Sequence, residues 1–327
     1  MPVDALPGWR EDSLAHLHEA LARQCALRQA PPPWPALCAE LPAPAALKAW
    51  VADRFAAWPL ARDDGAAGLL TGYYEPVLQG SRRRDRPGQV PLYRRPHDLI
   101  AAGDGTRLQR RGGTLQPYPA REQIETGTAL AGQELAWLDD PVEAFFLQIQ
   151  GSGRIRLRDG SQMRVGFADH NGHPYFAIGR ELIARGALEP GAVDADAIKA
   201  WLRANPAEAD AVMRRNPRYV FFRELPPGDA GPPGSLAVPL TPMRSVATDP
   251  AHVPPGALLY IDSTRPDDGT PLRRLTVSQD RGAAIVGAAR ADLFWGSGQE
   301  AGRLAGLTRQ PARMWLLWPK GSTPPGR

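Results

Sequence analysis

The chain has little cysteine, little lysine and no long apolar run, and each scarcity excludes a class of protein or site. Cys25 and Cys38 belong to no Cys-x-x-Cys pair and no cluster with histidine, so they do not form a metal site. They are either buried thiols or one disulfide that closes a loop of 12 intervening residues. No stretch of roughly 18 apolar residues offers a transmembrane helix, and the N-terminus lacks the charged and apolar regions of a signal peptide.

The charge and composition argue against a nucleic-acid partner and favour short strands. The 39 lysines and arginines against 35 aspartates and glutamates give a net charge of +4, and arginine far outnumbers lysine, with a pI of about 9.3. The longest basic run is Arg82–Arg84, too short to indicate nucleic-acid binding. With 33 glycines and 35 prolines among 327 residues, short strands and many turns are favoured over long helices. A chain of this length has room for two domains.

Hydrophobic spacing predicts helices at the start of the chain and strands at its end. Amphipathic helices are expected over residues 11–29 and 45–61, and a strand from Leu69. Six strands are predicted beyond Arg218: YVFFRE, ALLYIDS, RRLTVSQD, AAIVG, ADLFWG and ARMWLLWP. Closing a sheet removes its exposed edges, so six short strands suggest a barrel. We therefore expect a mainly β fold with peripheral helices.

Asp292, in the segment ADLFWG, is the best candidate for a catalytic acid. Protonating the leaving oxygen of a glycosidic bond needs a carboxylic acid whose pKa is raised by an apolar setting, which the flanking residues offer. Gly296 and Gly298 would let a sugar approach the backbone closely. Asp280 could be brought beside Asp292 by a hairpin and raise its pKa, although an Asp-Arg-Gly turn explains Asp280 equally well.

Polar residues at 148–153, in the segment QIQGSG, are candidates for sugar binding. Amides and hydroxyls hydrogen-bond sugar hydroxyls, and the ring of Tyr73 or Tyr74 could stack on a pyranose; a polar turn with a buried tyrosine is the alternative. His170 and His173 flank an Asn-Gly turn without a third ligand, so no metal is expected. The chain also shows no serine nucleophile elbow, P-loop or dinucleotide-binding motif, so the chemistry is assigned to carboxylates.

Seven ordered motifs together resemble the membrane-bound lytic transglycosylase A family. They cover about residues 69–318: TGYYEP (71–76) followed by Gly80-Ser81, PLYRRP (91–96), FFLQIQGSG (145–153), NGHPYFAIG (171–179), NPRYVFF (216–222), PLTPMRSVA (239–247) and DRGAAIVGAARADLFWGSGQEAGRLAG (280–306). Seven motifs in the right order are unlikely to coincide by chance.

The resemblance implies a double-psi β-barrel domain built from residues 1–95 and 223–327, with a "3D" segment at about 236–318. A smaller β-rich domain, residues 96–222, is inserted, and the glycan lies in the groove between the domains. The resemblance assigns catalysis to Asp292 and a supporting role to Asp280. The substrate-binding residues that we predict are Tyr74, Gln148, Gln150, Gly151 and Ser152.

The resemblance also implies the reaction and the setting. The family cleaves the β-1,4 bond between N-acetylmuramic acid and N-acetylglucosamine, and the muramoyl O6 attacks C1 to give a 1,6-anhydro sugar. The expected partners are peptidoglycan glycan strands, without metal or cofactor, in a periplasmic monomer. Many members are outer-membrane lipoproteins, whereas this sequence has no lipobox cysteine, so either the chain begins after its signal or the protein is soluble in the periplasm.

Two other functions fit the same residues. A two-carboxylate glycoside hydrolase would use Asp280 and Asp292 as a pair, with carboxyl groups ~5–5.5 Å apart if retaining and ~6.5–9.5 Å apart if inverting. A non-catalytic glycan-binding module would leave Asp292 exposed, outside any apolar pocket.

Overall fold

A computed structural model describes residues 1–62, 64–103, 105–282 and 284–325. The chain forms two compact units: one comprises Met1–Tyr74 with Asp229–Arg327, and the other Glu75–Gly228. The first junction lies earlier than the boundary expected at 95/96, and the second lies later than that expected at 222/223. The reason is strand pairing: the strands at 77–81 and 90–93 pair with strands of the second unit.

Strands and short helices alternate along the chain, and the fold is mainly β with some helices, as expected. The helices are α1 (Leu17–Cys25), α2 (Trp34–Ala39), α3 (Leu47–Arg54), α4 (Arg121–Thr126), α5 (Pro141–Gln150), α6 (Gly179–Ala184), α7 (Ala195–Ala204), α8 (Pro206–Arg214) and α9 (Gln299–Leu307). The strands are β1 (Phe55–Leu60), β2 (Gly68–Glu75), β3 (Val77–Ser81), β4 (Val90–Tyr93), β5 (Ile100–Ala101), β6 (Arg107–Arg111), β7 (Thr114–Pro117), β8 (Glu134–Leu138), β9 (Ser152–Arg156), β10 (Gln162–His170), β11 (Val220–Leu225), β12 (Ser245–Thr248), β13 (Leu258–Thr264), β14 (Pro271–Asp280), β15 (Arg290–Ser297) and β16 (Arg309–Pro319).

The sheet of the first unit closes on itself. Its order is β1-β16-β13-β14-β12-β15-β2, and β16 also pairs with β2, so six strands form a ring. β1 pairs with Met314–Pro319 of β16, next to the stretch Arg309–Ala312 that pairs with β2. β12 and β14 run parallel, whereas the other registered pairs in this sheet are antiparallel. Closure satisfies the backbone groups that edge strands would expose.

The composition of this ring differs from the prediction in two strands. YVFFRE is β11, which pairs with β10 in the second unit. In AAIVG, Ala283 lies outside the described residues and 284–287 form no strand; β2 and the four-residue β12 complete the ring instead. The predicted helix over 45–61 is also wrong beyond Arg54, because Phe55–Leu60 pairs with β16 as β1.

A buried ion pair and a disulfide hold the N-terminal segment in the first unit. Arg244 donates to both carboxylate oxygens of Asp12 at 2.7 and 2.9 Å, and each residue is at most 3% exposed. Asp12 also accepts the backbone N–H groups of Leu14 and Leu275. Each of its carboxylate oxygens therefore accepts two hydrogen bonds. Cys25 and Cys38 form the disulfide, with Cα atoms 5.3 Å apart.

The second unit contains a six-stranded sheet and a small outer sheet. The larger has the order β11-β10-β9-β3-β8-β4, and the smaller the order β5-β6-β7. Helix α5 begins at Pro141 with Asp140 as its cap, since the Asp140 carboxylate accepts two backbone N–H groups. It ends at Gly151, whose φ of +78° favours glycine and turns the chain into β9.

We expect Asp12→Ala to lower the free energy of unfolding by about 3–5 kcal/mol, because the Arg244 guanidinium stays buried without its carboxylate. Urea unfolding at pH 7 measures this. Asp64→Ala, which breaks an exposed pair with Arg62, should leave the midpoint almost unchanged.

The same stabilisation should depend on pH. Burial raises the pKa of Asp12, but hydrogen bonds from Arg244 and the backbone leave it below its usual value on balance. A carboxyl with a lowered pKa stabilises the fold above its unfolded-state pKa, so this contribution should be lost as the pH falls through the folded-state pKa. If Asp12→Ala is as stable as Asp64→Ala, the ion pair between Asp12 and Arg244 does not stabilise the fold.

Candidate active site

Two aspartates stand on either side of one residue in the ring of the first unit. Ala247 of β12 pairs with Asp292 of β15 on one side and with Asp280 of β14 on the other. Adjacent strands lie about 4.8 Å apart, which places the two aspartate Cα atoms about 10 Å apart. The β12–β14 register shifts after Val246, so that Asp280 rather than the buried Gln279 stands opposite Ala247.

Asp292 is a partly buried carboxyl with one side-chain hydrogen bond. Its Oδ1 accepts from the Thr71 hydroxyl of β2 at 2.5 Å, and its neighbours Ala291 and Leu293 are buried. Burial raises the pKa of Asp292 to about 6; Thr71 and Arg290 act in the opposite direction, and the charge of Asp280 adds a smaller increase. A carboxyl with this pKa exists in both protonation states between pH 5 and 7.

Asp280 is held by more donors than Asp292. Its Oδ1 accepts the backbone N–H groups of Ser235 and Arg281, both at 2.9 Å, and its Oδ2 accepts the Tyr73 hydroxyl at 3.0 Å. Burial raises the pKa of Asp280, and these three hydrogen bonds oppose that rise. The hydrogen bonds fix the orientation of the carboxyl group.

Thr71 is a site residue without a sequence signal, and Tyr73, a candidate ring for stacking on a sugar, instead donates a hydrogen bond to Asp280. Both lie on β2 two residues apart, so both side chains face the same side of the strand. The Tyr73 ring also packs against the Phe294 ring, with ring centroids 5.3 Å apart. Burial, followed by the charges of Asp280 and Asp292, raises the pKa of Tyr73, so the phenol stays protonated and serves as a donor.

Tyr74, predicted to contact the sugar, points to the other side of β2. Its ring is partly buried and packs in the hydrophobic cluster beside α9. A side chain at Gly302 would come within 2.8 Å of the ring, so the glycine is needed for this contact. The alternation along β2 therefore puts Tyr73, not Tyr74, on the carboxylate side.

The predicted residues Gln148, Gln150, Gly151 and Ser152 lie together at the end of α5 and the start of β9, in the second unit. Gln148 is 9% exposed, and its oxygen accepts from Arg121 at 2.8 Å and from the backbone of Val220 at 3.2 Å. Its contacts are therefore internal.

The rest of this segment is more accessible. Gln150, Gly151 and Ser152 are partly exposed. The buried Oε1 of Gln150 has no hydrogen-bond partner among the described residues. A buried acceptor without a partner is costly, so this oxygen is a good position for a ligand or water donor.

The two histidines of the middle segment make local contacts. His173 Nε2 lies 2.8 Å from the Tyr118 carbonyl oxygen, and His170 Nδ1 accepts the N–H of Gly172. Within the described ranges, no group of histidine, cysteine, aspartate or glutamate side chains is arranged to hold a metal ion. Over the same residues, every helix is too short or too polar to cross a membrane.

Comparison with known proteins defines the class and then the family. Residues 69–223 match the model of the MltA specific insert domain, and residues 244–318 match the 3D domain. The curated relatives that match the chain are lytic murein transglycosylases. Membrane-bound lytic murein transglycosylase A of Escherichia coli K12 is 34% identical over 269 residues, 80% of this chain and 68% of that protein. The chain belongs to the membrane-bound lytic murein transglycosylase A family.

Solved structures agree with this membership. The monoclinic crystal structure of MltA from Neisseria gonorrhoeae is 34% identical, with a TM-score of 0.88, and the match covers 100% of this chain and 94% of that one. Escherichia coli MltA with bound chitohexaose is 27% identical, with a TM-score of 0.76, and the match covers 95% of this chain and 90% of that one.

We expect Thr71→Val to raise the pKa of Asp292 by about one unit above its value of about 6, because the ionised carboxylate loses its hydroxyl donor. Carboxyl-carbon NMR titration measures this pKa directly. Thr270→Val is the matched control, since the Thr270 hydroxyl donates to the distant Asp268. An unchanged pKa in Thr71→Val would show that this hydrogen bond does not tune Asp292.

Proposed function

We propose that this lytic transglycosylase cleaves the β-1,4 bond between N-acetylmuramic acid and N-acetylglucosamine in peptidoglycan and leaves 1,6-anhydromuramoyl ends. Asp292 acts first as the acid and then as the base. The observation that carries the proposal is the partly buried Asp292, whose pKa is raised to about 6 inside the segment that matches the 3D domain.

The reaction follows from one carboxyl group used twice. Protonated Asp292 donates its proton to the glycosidic oxygen, the bond to muramoyl C1 breaks, and positive charge develops on that ring. The resulting carboxylate then accepts the proton of the muramoyl O6 hydroxyl as O6 bonds to C1. The proton lost in the first step is recovered in the second, and no water is consumed.

Asp280 supports this chemistry electrostatically. Two backbone N–H groups and the Tyr73 phenol hold Asp280 in place. Its strand lies two strand spacings from the strand of Asp292. Its negative charge favours the protonated form of Asp292 and the positive charge that develops on the sugar ring.

The segment from Gln148 to Ser152 is our candidate for sugar binding. Gln150 is partly exposed and has a buried amide oxygen without a hydrogen-bond partner among the described residues, and Gly151 and Ser152 offer backbone and hydroxyl groups. Gln148 positions this segment from inside. Tyr74 supports the carboxylate strand by packing on Gly302.

Two features of the wider fold belong to the same proposal. A closed six-stranded ring with a parallel β12–β14 pair supports a double-psi β-barrel in the first unit, residues 1–74 and 229–327, into whose sequence 75–228 is inserted. We also propose a periplasmic monomer that acts on glycan strands at the outer membrane, by analogy with relatives named as membrane-bound.

The geometry favours this function over the two rivals. A hydrolase would need Asp280 to activate water, but three hydrogen bonds already hold that carboxylate in place. A binding module would leave Asp292 exposed and ionised, whereas burial here favours its protonated form.

Digestion of whole peptidoglycan should release 1,6-anhydromuropeptides and no reducing muramic acid ends. The two kinds of end differ by one water, so mass spectrometry separates them. Predominantly reducing products would show that the enzyme is a muramidase, and the proposed use of Asp292 would have to be abandoned.

Asp292→Asn should lose at least about 100-fold in turnover, because the amide cannot donate and recover a proton. Its melting temperature at pH 8 should rise, since a carboxyl whose pKa is raised on folding destabilises the fold once ionised. Asp280→Asn should lose only about 10-fold, and Asp268→Asn, at an exposed turn, should be fully active. Residual activity above about 10% in a folded Asp292→Asn would exclude Asp292 as the acid.

A further inference from the structure

A group of arginines surrounds one carboxylate in the second unit, at the end of β10. Asp169 accepts from Arg107 at 2.7 Å and from Arg95 at 3.0 Å. Arg218 lies close enough to both Arg107 and Asp169 for their charges to act on it. Among the described residues, its guanidinium makes one hydrogen bond, to the carbonyl oxygen of His173 at 3.3 Å.

The positive charge of the Arg218 guanidinium is poorly balanced by negative charge around it. Burial, followed by repulsion from Arg107, lowers the pKa of Arg218, which still remains charged at physiological pH. Asp169 already receives hydrogen bonds from two other arginines. The local balance therefore favours a further anionic group beside Arg218.

His170 adds an uncharged donor to this group. Its Nδ1 accepts the N–H of Gly172 at 2.9 Å, so the neutral ring carries its hydrogen on Nε2. Burial and the charges of Arg218 and Arg107 lower the pKa of His170 to about 4. The ring is therefore neutral near pH 7, with a fixed N–H donor.

One aromatic ring links this basic group to the candidate sugar-binding segment within the same unit. Phe167 is 45% exposed, and its ring lies 6.3 Å from that of His170. A Cβ at Gly151 would lie 4.0 Å from the Phe167 Cβ. Ser152 pairs with Gly166, the residue before Phe167. Phe167 is therefore next to residues of both polar groups.

We propose that Arg107, His170 and Arg218 form a subsite for a carboxylate that the muramoyl residue carries. The source is either the peptide stem or, in stripped strands, the free lactyl group. This inference rests on the proposed function, because the glycan must lie along Gln150–Ser152. A sugar there would place its lactyl substituent across Phe167, within reach of a guanidinium that can bind a carboxylate with two parallel hydrogen bonds.

The test measures binding of three small probes to the full chain by calorimetry. The first is a disaccharide–tripeptide with free carboxylates, the second the same compound with its carboxylates amidated, and the third a peptide-free disaccharide with a free lactyl carboxylate. Because the site is partly exposed, we expect the wild type to prefer a carboxylate-bearing probe over the amidated one by about 5- to 10-fold.

Arg218→Gln should remove that preference, and Arg218→Lys should restore part of it, since the charge returns without the fork geometry. Arg110→Gln is the matched control, because Arg110 is exposed and donates to the carbonyl oxygen of the nearby Gly113. Preference for the first probe identifies the peptide stem, and preference for the third identifies the lactyl group; both support the subsite.

Two results would overturn the inference. One is equal binding of charged and amidated probes by the wild type, and the other is a preference that survives in folded Arg218→Gln. Release of anhydro products from peptide-stripped strands is measured in parallel with Arg218→Gln. If Arg218→Gln still releases anhydro products and keeps the probe preference, the subsite alone is wrong. If the wild type releases no anhydro products, the proposed function is wrong.

Discussion

The pairing of β2 with both β15 and β16 is the contact on which the candidate active site depends. This strand closes the ring, and the same strand supplies Thr71 and Tyr73, the hydroxyl donors to the two aspartates. Withdrawing carboxyl groups from water is unfavourable unless hydrogen bonds replace the lost hydration. Ring closure therefore provides both the apolar surroundings that raise the pKa values and the donors that limit the cost.

The two aspartates differ because their donors differ. Both flank Ala247, and burial raises the pKa of both. Asp280 accepts two backbone N–H groups and a phenol, whereas Asp292 accepts one hydroxyl. Backbone donors cannot move away, so Asp280 is suited to a fixed charge. Asp292 has fewer fixed partners and can gain and lose a proton at little structural cost, which suits an acid that must become a base.

Sequence patterns predicted the apolar setting of Asp292 better than they predicted the strands that surround it. The apolar flank of Asp292 and the turn signals beyond Arg218 were sufficient to predict a raised pKa and a mainly β fold. The helical spacing of 45–61 concealed β1, because only pairing with the distant β16 makes Phe55–Leu60 extended. Likewise, Tyr73 and Tyr74 are the same residue type. They differ only in the side of β2 that they face, which depends on the register of the closed sheet.

Gln148 is a buried polar residue that supports the candidate sugar-binding segment from inside the second unit. Arg121, 1% exposed, lies over the rings of Phe145 and Tyr219 and donates to the Gln148 oxygen. The same guanidinium donates to the backbone carbonyl of Arg218 at 2.6 Å. One buried cation thus fixes both the end of α5, where the candidate sugar-binding segment begins, and Arg218, which precedes β11. Because fully hydrogen-bonded buried networks are rigid, the spacing between these two polar groups of the second unit is set by Arg121 rather than by exposed loops.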